Sequence, residues 1–285
     1  LNWTSQSVSY YYIYDLEVHP TTPSTIFFAG RTMWGSKYVM GFFKSTNGGT
    51  NWSSVALDTF SGLSYALAVD RNNPNTIYVG GYSVTTATTP KVFKSTNGGT
   101  SFTDVSTGIA STSYYIYSLA VHPTNSSIVY AGTYVGLYRS TTGGGNWSQT
   151  ATYNYSYSLA TTRAAPDVVF AGADTTVYKS TNAGATWFRS GSGLGGSVKS
   201  YRRIDASQVT GSNVYSTDAK GFFKTTSGGT NWFASNYGIN TAVINALGIA
   251  PSAPSTIYTE SYGVGVYKSI NNGSAWTSLP TPLTC

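Results

Sequence analysis

Carboxylates are where chemistry would have to start, and they are few. The chain has 285 residues, and only 10 of them are Asp or Glu. Glycoside hydrolysis usually takes one carboxyl as acid and a second across the scissile bond. Asp174, Asp218 and Glu260 fall at corresponding places in three successive stretches, and Tyr262 stands beside the last. An acidic pocket built from them is the one catalytic arrangement on offer. A second set is aromatic and basic: Arg31, Trp34, Lys37 and Tyr38 lie close together, and Tyr82 follows later. Such side chains, when exposed, make binding surfaces for sugars or protein partners. Metal chemistry is not expected. His19 and His122 both occur in His-Pro-Thr, a recurrence that suits a turn, and no Cys or carboxylate cluster accompanies them. No cofactor is expected either.

The elements that must position these residues repeat. Phe42-Phe43-Lys44-Ser45-Thr46-Asn47-Gly48-Gly49-Thr50-Asn51-Trp52 returns in altered form five more times, anchored on Ser45, Ser95, Ser140, Ser180, Thr225 and Ser269. A period of about 40 to 50 residues marks a solenoid, a propeller or an array. Within each copy, a short β-favouring run leads into Asn-Gly-Gly turn chemistry, where Gly accepts positive φ and Asn bonds nearby backbone. A Trp or Phe then opens the next strand. Upstream lie two more strand-like runs, such as Ile116-Tyr117-Ser118-Leu119-Ala120-Val121 and Ile128-Val129-Tyr130-Ala131-Gly132. Four short strands per unit with no helical period predict an all-β, six-bladed β-propeller of four-stranded antiparallel blades. The blades are placed at 11–55, 64–105, 114–150, 155–190, 198–235 and 242–279, in one domain covering 1–285.

The stretch Ser180-Thr181-Asn182-Ala183-Gly184-Ala185-Thr186-Trp187 resembles the Asp-box, or bacterial neuraminidase repeat. The resemblance covers nearly the whole chain. It implies a propeller blade whose boxed turn joins the third and fourth strands, as in sialidases, two-propeller xyloglucanases and sortilin-type receptors. No copy here carries the Asp: Asn47, Asn97, Thr142, Asn182, Ser227 and Asn271 stand in its place, each able to bond the turn backbone. The motif is structural in its family and transfers no catalytic residue. A sialidase would further need three arginines on the sugar carboxylate, and only Arg31, Arg202 and Arg203 are near the right face. The xyloglucanase pattern has an Asp where this chain has Met33 and Trp34. Both points disfavour catalysis.

In a propeller, the loops joining second and third strands share a face opposite the boxed turns. The longest here are expected at Arg31 to Met40 and Tyr82 to Pro90, so any site is placed near repeats 1 and 2. Trp34 and Tyr38 have no counterpart in other repeats, and either cover an apolar patch or stack on a ligand ring. Tyr is the loudest residue, with 24 copies. Tyr14, Tyr65, Tyr117 and Tyr157 precede the first-strand Leu by two positions, and Tyr12, Tyr115 and Tyr155 precede it by four. Strand alternation would put them on the Leu face, against the neighbouring blade; the alternative is a stacking surface for sugars. Lys44, Lys94, Arg139, Lys179, Lys224 and Lys268 precede the anchoring hydroxyl. Their stems are expected over the next blade with the heads in water.

Composition sets the setting. Charged residues are only 9% of the chain, against a usual quarter, and Tyr, Ser, Thr, Asn and Gly take their place. That suits a secreted or cell-surface β-protein. No apolar run is long enough to span a bilayer as a helix. The net charge of +6 is spread without a basic run, which argues against nucleic acid and allows attraction to anionic polysaccharide. The one cysteine, Cys285, cannot form an internal disulfide. Leu1 to Ser7 repeat a fourth-strand pattern without a unit of their own. They are expected to act as an extra strand that closes the ring or pairs with another copy, giving homo-oligomers or filaments. The expected function is a non-catalytic binding or structural module for polysaccharide or an extracellular protein surface. The alternative is a glycoside hydrolase or a carbohydrate-binding propeller with its site on the loop face.

Overall fold

The computed structural model describes residues 12–173, 175–194, 203–240, 243–261 and 264–279. These form two compact units, divided between Ser156 and Tyr157. In the N-terminal unit, repeat 1 supplies β1 (Ile13–Val18), β2 (Ile26–Trp34) and β3 (Lys37–Ser45), and β4 (Ser53–Val69) leads on into repeat 2. Repeat 2 continues with β5 (Ile77–Val84), β6 (Thr88–Ser95) and β7 (Thr103–Asp104). Repeat 3 has β8 (Ile116–Val121), β9 (Val129–Thr133), β10 (Gly136–Ser140) and β11 (Ser148–Ala151). In the C-terminal unit, repeat 4 has β12 (Ser156–Thr161), β13 (Val169–Ala173), β14 (Val177–Ser180) and β15 (Phe188–Arg189). Repeat 5 has β16 (Arg203–Ala206), β17 (Val214–Asp218), β18 (Gly221–Thr225) and β19 (Phe233–Ala234). Repeat 6 has β20 (Ala246–Ile249), β21 (Ile257–Ser261), β22 (Gly265–Ser269) and β23 (Thr277–Ser278).

Repeats 3 to 6 each form a separate four-stranded antiparallel sheet, as expected. Repeats 1 and 2 do not. Their strands make one seven-stranded sheet, because β4 runs unbroken where a connecting segment at 56–63 was expected. It pairs with β3 as far as Val39↔Ser61 and with β5 from Ser61↔Val84 onward. The two long loops are corrected as well. Arg31 to Met40 is a strand hairpin closed by Gly35-Ser36, with Arg31↔Met40 and Trp34↔Lys37 in register and Gly35 at φ +60°. Tyr82 to Pro90 is likewise strand, with Tyr82↔Pro90 paired. A longer sheet satisfies backbone groups that a loop would leave to water.

The boxed turn is the same circuit six times. Ser45 Oγ donates to Asn47 Oδ1 (2.9 Å) and accepts the Gly49 N–H (2.9 Å), while Asn47 Oδ1 accepts the Asn51 N–H (2.9 Å). Ser95 with Asn97, Ser180 with Asn182 and Ser269 with Asn271 repeat it. Thr142 and Ser227 do the same work with a hydroxyl oxygen, accepting the N–H of Asn146 (2.9 Å) and Asn231 (3.1 Å). The turn thus needs a side-chain oxygen at this position, and an amide or a hydroxyl supplies it.

The core lies between consecutive repeats. Phe27, Met40 and Phe42 of repeat 1 bury against Leu67, Val79 and Phe93 of repeat 2. Ala66, Tyr78 and Val92 then meet Leu119, Tyr138 and Trp147 of repeat 3. In the C-terminal unit, Phe170 and Val177 meet Phe223 and Trp232, and Tyr215 and Phe222 meet Tyr267 and Trp276. Polar ties cross the same junctions. The Trp147 and Trp276 indoles donate to the carbonyls of Val105 (2.8 Å) and Ser235 (2.9 Å) in the preceding repeat.

The repeated lysines correct another expectation. Four of the six heads are not left to water. Lys44 donates to Gly98 O (2.9 Å), Lys94 to Gly143 O (2.8 Å) and Lys179 to Gly228 O (2.7 Å), each in the next repeat's boxed turn. Lys224 reaches Ser274 Oγ (2.6 Å) in the same way. Burial pulls the Lys179 and Lys224 ammonium pKa values down. No helix among the described residues is long and apolar enough to cross a membrane.

Candidate functional site

At the hairpin end of the N-terminal unit, tyrosines from repeats 1 to 3 meet, together with Tyr155 just ahead of β12. Tyr12 stacks on Tyr14 (centroids 6.4 Å apart), and Tyr14 meets Tyr65 edge-on at 5.0 Å. Tyr65 touches Tyr82, Tyr115 and Tyr117 at 5.8 to 6.2 Å. Tyr82 meets Tyr115 at 5.0 Å, Tyr115 approaches Tyr134 at 6.5 Å, and Tyr134 meets Tyr155 at 4.7 Å. Tyr114 joins through Tyr134 at 5.5 Å. The contacts form one continuous array. Tyr12 is 57% exposed, Tyr14 38% and Tyr114 44%, so the array is a surface. Burial, and then the neighbouring phenols, push the Tyr65 and Tyr82 pKa values up, which keeps both rings neutral.

The local backbone explains why these rings left the core. Tyr14, Tyr65 and Tyr117 each fall at a register shift in a first strand: between Ile13 and Asp15, Ser64 and Ala66, and Ile116 and Ser118. A bulge inserts one residue and resets the alternation. The two-residue spacing from Tyr to Leu therefore does not place both on one face; the rings still pack against the neighbouring repeat, but ring on ring with its tyrosines. Each bulge lies against a glycine on the second strand: Gly30, Gly81 or Gly132. A Cβ there would collide with Tyr12 O, Leu63 O or Ser118 Oγ respectively. Tyr114 and Tyr155 sit at φ +50° and +55°. For a bulky side chain that is an outlier, at a cost of about 1–3 kcal/mol each.

The five binding candidates separate. Arg31 extends the array: its guanidinium carbon lies 4.1 Å from the ring centroids of both Tyr12 and Tyr38. Tyr82 belongs to the array too. Trp34 and Lys37 do not. They pair across the hairpin at its tip, one residue out of phase with Arg31 and Tyr38, and strand alternation sends them to the other face. Trp34 is 54% exposed there.

The acidic candidates are less concentrated. Asp218 ends β17, is buried, and its Oδ1 accepts the Lys220 N–H at 2.7 Å, which closes the β17–β18 turn. Glu260 sits within β21, paired with Val266, and burial raises its pKa. Asp174, Tyr262 and Arg202 lie outside the described residues. Arg203 donates to the carbonyls of Asn245 (3.3 Å) and Tyr157 (3.4 Å). Both histidines serve turns: His19 Nδ1 accepts the Thr22 N–H (3.1 Å) and His122 Nδ1 the Thr124 N–H (3.3 Å). Among the described residues, no cluster of three His, Cys, Asp or Glu side chains could hold a metal ion.

No protein-family model matches the sequence, and no curated protein matches it. Solved structures do resemble the fold. An ancestral GH74 enzyme superposes with a TM-score of 0.71 at 21% identity, over 95% of this chain and 41% of that one. This chain thus spans under half the enzyme's length. YCF48 from Cyanidioschyzon merolae gives 0.66 at 12% identity, over 96% and 87% of the two chains. A structure of YCF48 bound to D1 peptide gives 0.61 at 11%, over 88% and 78%. The four-stranded antiparallel sheets and these neighbours define a β-propeller fold.

Proposed function

We propose that this chain is a single six-bladed β-propeller domain with Asp-box-type turns, working at the cell surface or in secreted form as a non-catalytic binding module. Its ligand is an extended polysaccharide lying along the tyrosine array. The observation that carries this reading is the continuity of half-exposed rings from Tyr12 to Tyr155 within the N-terminal unit. A line of aromatic groups suits a linear polymer better than a compact small molecule, and phenols offer both a stacking body and a hydroxyl. The strained backbone at Tyr114 and Tyr155 points the same way, since strain of that kind clusters at ligand sites.

The test is co-sedimentation with insoluble polysaccharides. Tyr14→Ala with Tyr114→Ala should weaken retention about tenfold or more while the melting temperature moves by a few degrees. Retention unchanged by the double substitution, or binding to peptides with none to any polysaccharide, overturns the reading.

A glycoside hydrolase is the second reading, favoured by the raised pKa of Glu260 and by the GH74 neighbour, and weakened by the use of Asp218 in a turn. Turnover of a β-glucan or sialoside that Glu260→Gln abolishes would establish it. Self-assembly through Leu1 to Ser7 is a separate proposal. Deleting those residues should convert an assembling protein to monomer in solution mass measurements, and a full-length protein that is monomeric at high concentration rules it out.

A further inference from the structure

The geometry points to a carboxylate on the ligand, seated on Arg31: the polymer is an acidic polysaccharide, one built with uronic acid residues. This rests on the polysaccharide reading above. Among the described residues, Arg31 is a cation without an acid. The single salt bridge among the described residues is Lys91 with Asp104, well away in the sequence, and Arg31 Nε is buried with no hydrogen-bond partner among them. Tyr12 and Tyr38 stand against the guanidinium at the same 4.1 Å. Cation–π contact holds the group in position; with Nε buried, a ligand carboxylate would meet the two terminal nitrogens.

That arrangement selects a class. A planar guanidinium presents paired N–H donors whose spacing matches the two oxygens of a carboxylate, which lysine cannot imitate. In a uronate the carboxylate is fixed to the ring, so one sugar can stack on a Tyr while its acid meets the arginine. The neutral phenols of Tyr65 and Tyr82 add no repulsion along the path. A net charge of +6 draws a polyanion in. An acidic peptide would supply carboxylates too, but on flexible side chains, and a row of open rings gives no pockets for them.

The experiment compares binding of polygalacturonate with its carboxyl-reduced, neutral counterpart and with dextran sulfate. Wild type should favour polygalacturonate over the neutral polymer by about tenfold or more, the scale of a charge-assisted hydrogen-bond pair. Arg31→Lys, which keeps the charge and loses the fork, should remove most of that preference, and Arg31→Gln all of it, read as the ratio of acidic to neutral polymer bound by each variant. Equal binding of acidic and neutral polymers by wild type overturns the carboxylate inference and leaves polysaccharide binding standing. So does full preference in Arg31→Lys, or tighter binding of dextran sulfate, since either would mean unspecific charge attraction. Absence of binding to any polymer, or binding of poly-glutamate alone, ends both.

Discussion

Repeats 1 and 2 differ from repeats 4 to 6 at one end only. In the first pair, second and third strands extend to eight or nine residues and β4 fuses two sheets into one. In the later repeats second strands have five residues, and the fourth strands of repeats 4 to 6 have two. Yet the boxed-turn circuit is alike in both, and so is the lysine that reaches the following turn. Extension happens at the hairpin end, where no repeat has to meet its neighbour's turn. The joint end is held constant, and the other end is where the surface that distinguishes this chain has been built.

The largest expected effect tests the fused sheet. A Cβ on Gly81 would strike Leu63 O in β4, whereas one on Gly248 meets nothing within 4 Å. Gly81→Ala should destabilise by about 3 kcal/mol or more and Gly248→Ala by under about 1 kcal/mol, read from denaturant midpoints. Similar values for both would mean that β4 is not held as described. The next effect concerns the shared joint. Lys94→Met and Lys179→Met, one from each unit, should each cost about 1 kcal/mol, the scale of one hydrogen bond. A loss at one site only would break the equivalence of the two regions.

Alkaline pH should act more strongly on the N-terminal unit. Burial pushes the Tyr215 phenol up to about 12 and raises Tyr65 and Tyr78 as well. A phenol whose pKa is raised by folding contributes stability that is complete below its unfolded pKa, about 10, and is lost as pH climbs toward the folded value. Stability should therefore fall from pH 10 upward, and Tyr78→Phe should flatten that fall more than Tyr215→Phe. The smallest effect belongs to Glu260. Its raised pKa means that the ionised form is disfavoured by folding. Glu260→Gln should raise the melting temperature slightly at pH 7, with the gain gone below about pH 4, where the unfolded carboxyl is also protonated. A lower melting temperature at pH 7 would show that Glu260 has an attractive partner instead.

The parts legible in the sequence were those enforced identically in every repeat. Ser45, Asn47 and Gly49 recur because the turn admits few alternatives, and at the αL position even the exceptions, Ala183 at φ +53° and Asn272 at φ +56°, keep the conformation. The hairpin end was misread because a strand extension is recognised by alternation, and Arg31-Thr32-Met33-Trp34 mixes polar and apolar residues on both faces. Gly35-Ser36 between two β-favouring runs was the available signal for a two-residue hairpin turn. With the hairpin recognised, alternation alone would have separated Trp34 from Tyr38. The tyrosine array was not legible from spacing, since three bulges reset the phase at the very residues in question. Its one sequence trace is abundance.

The lysine clasps bear on how such a chain can change its length. Repeats 1, 2, 4 and 5 each carry a donor for the turn that follows, and repeats 2, 3, 5 and 6 carry the turn that receives it. A duplicate of repeat 2 or repeat 5 therefore arrives with both halves of the joint, needing no new side chain at either boundary. Recombination can add or remove a unit in a single event, and divergence afterwards is free to rewrite the hairpin end, where the clasp imposes nothing.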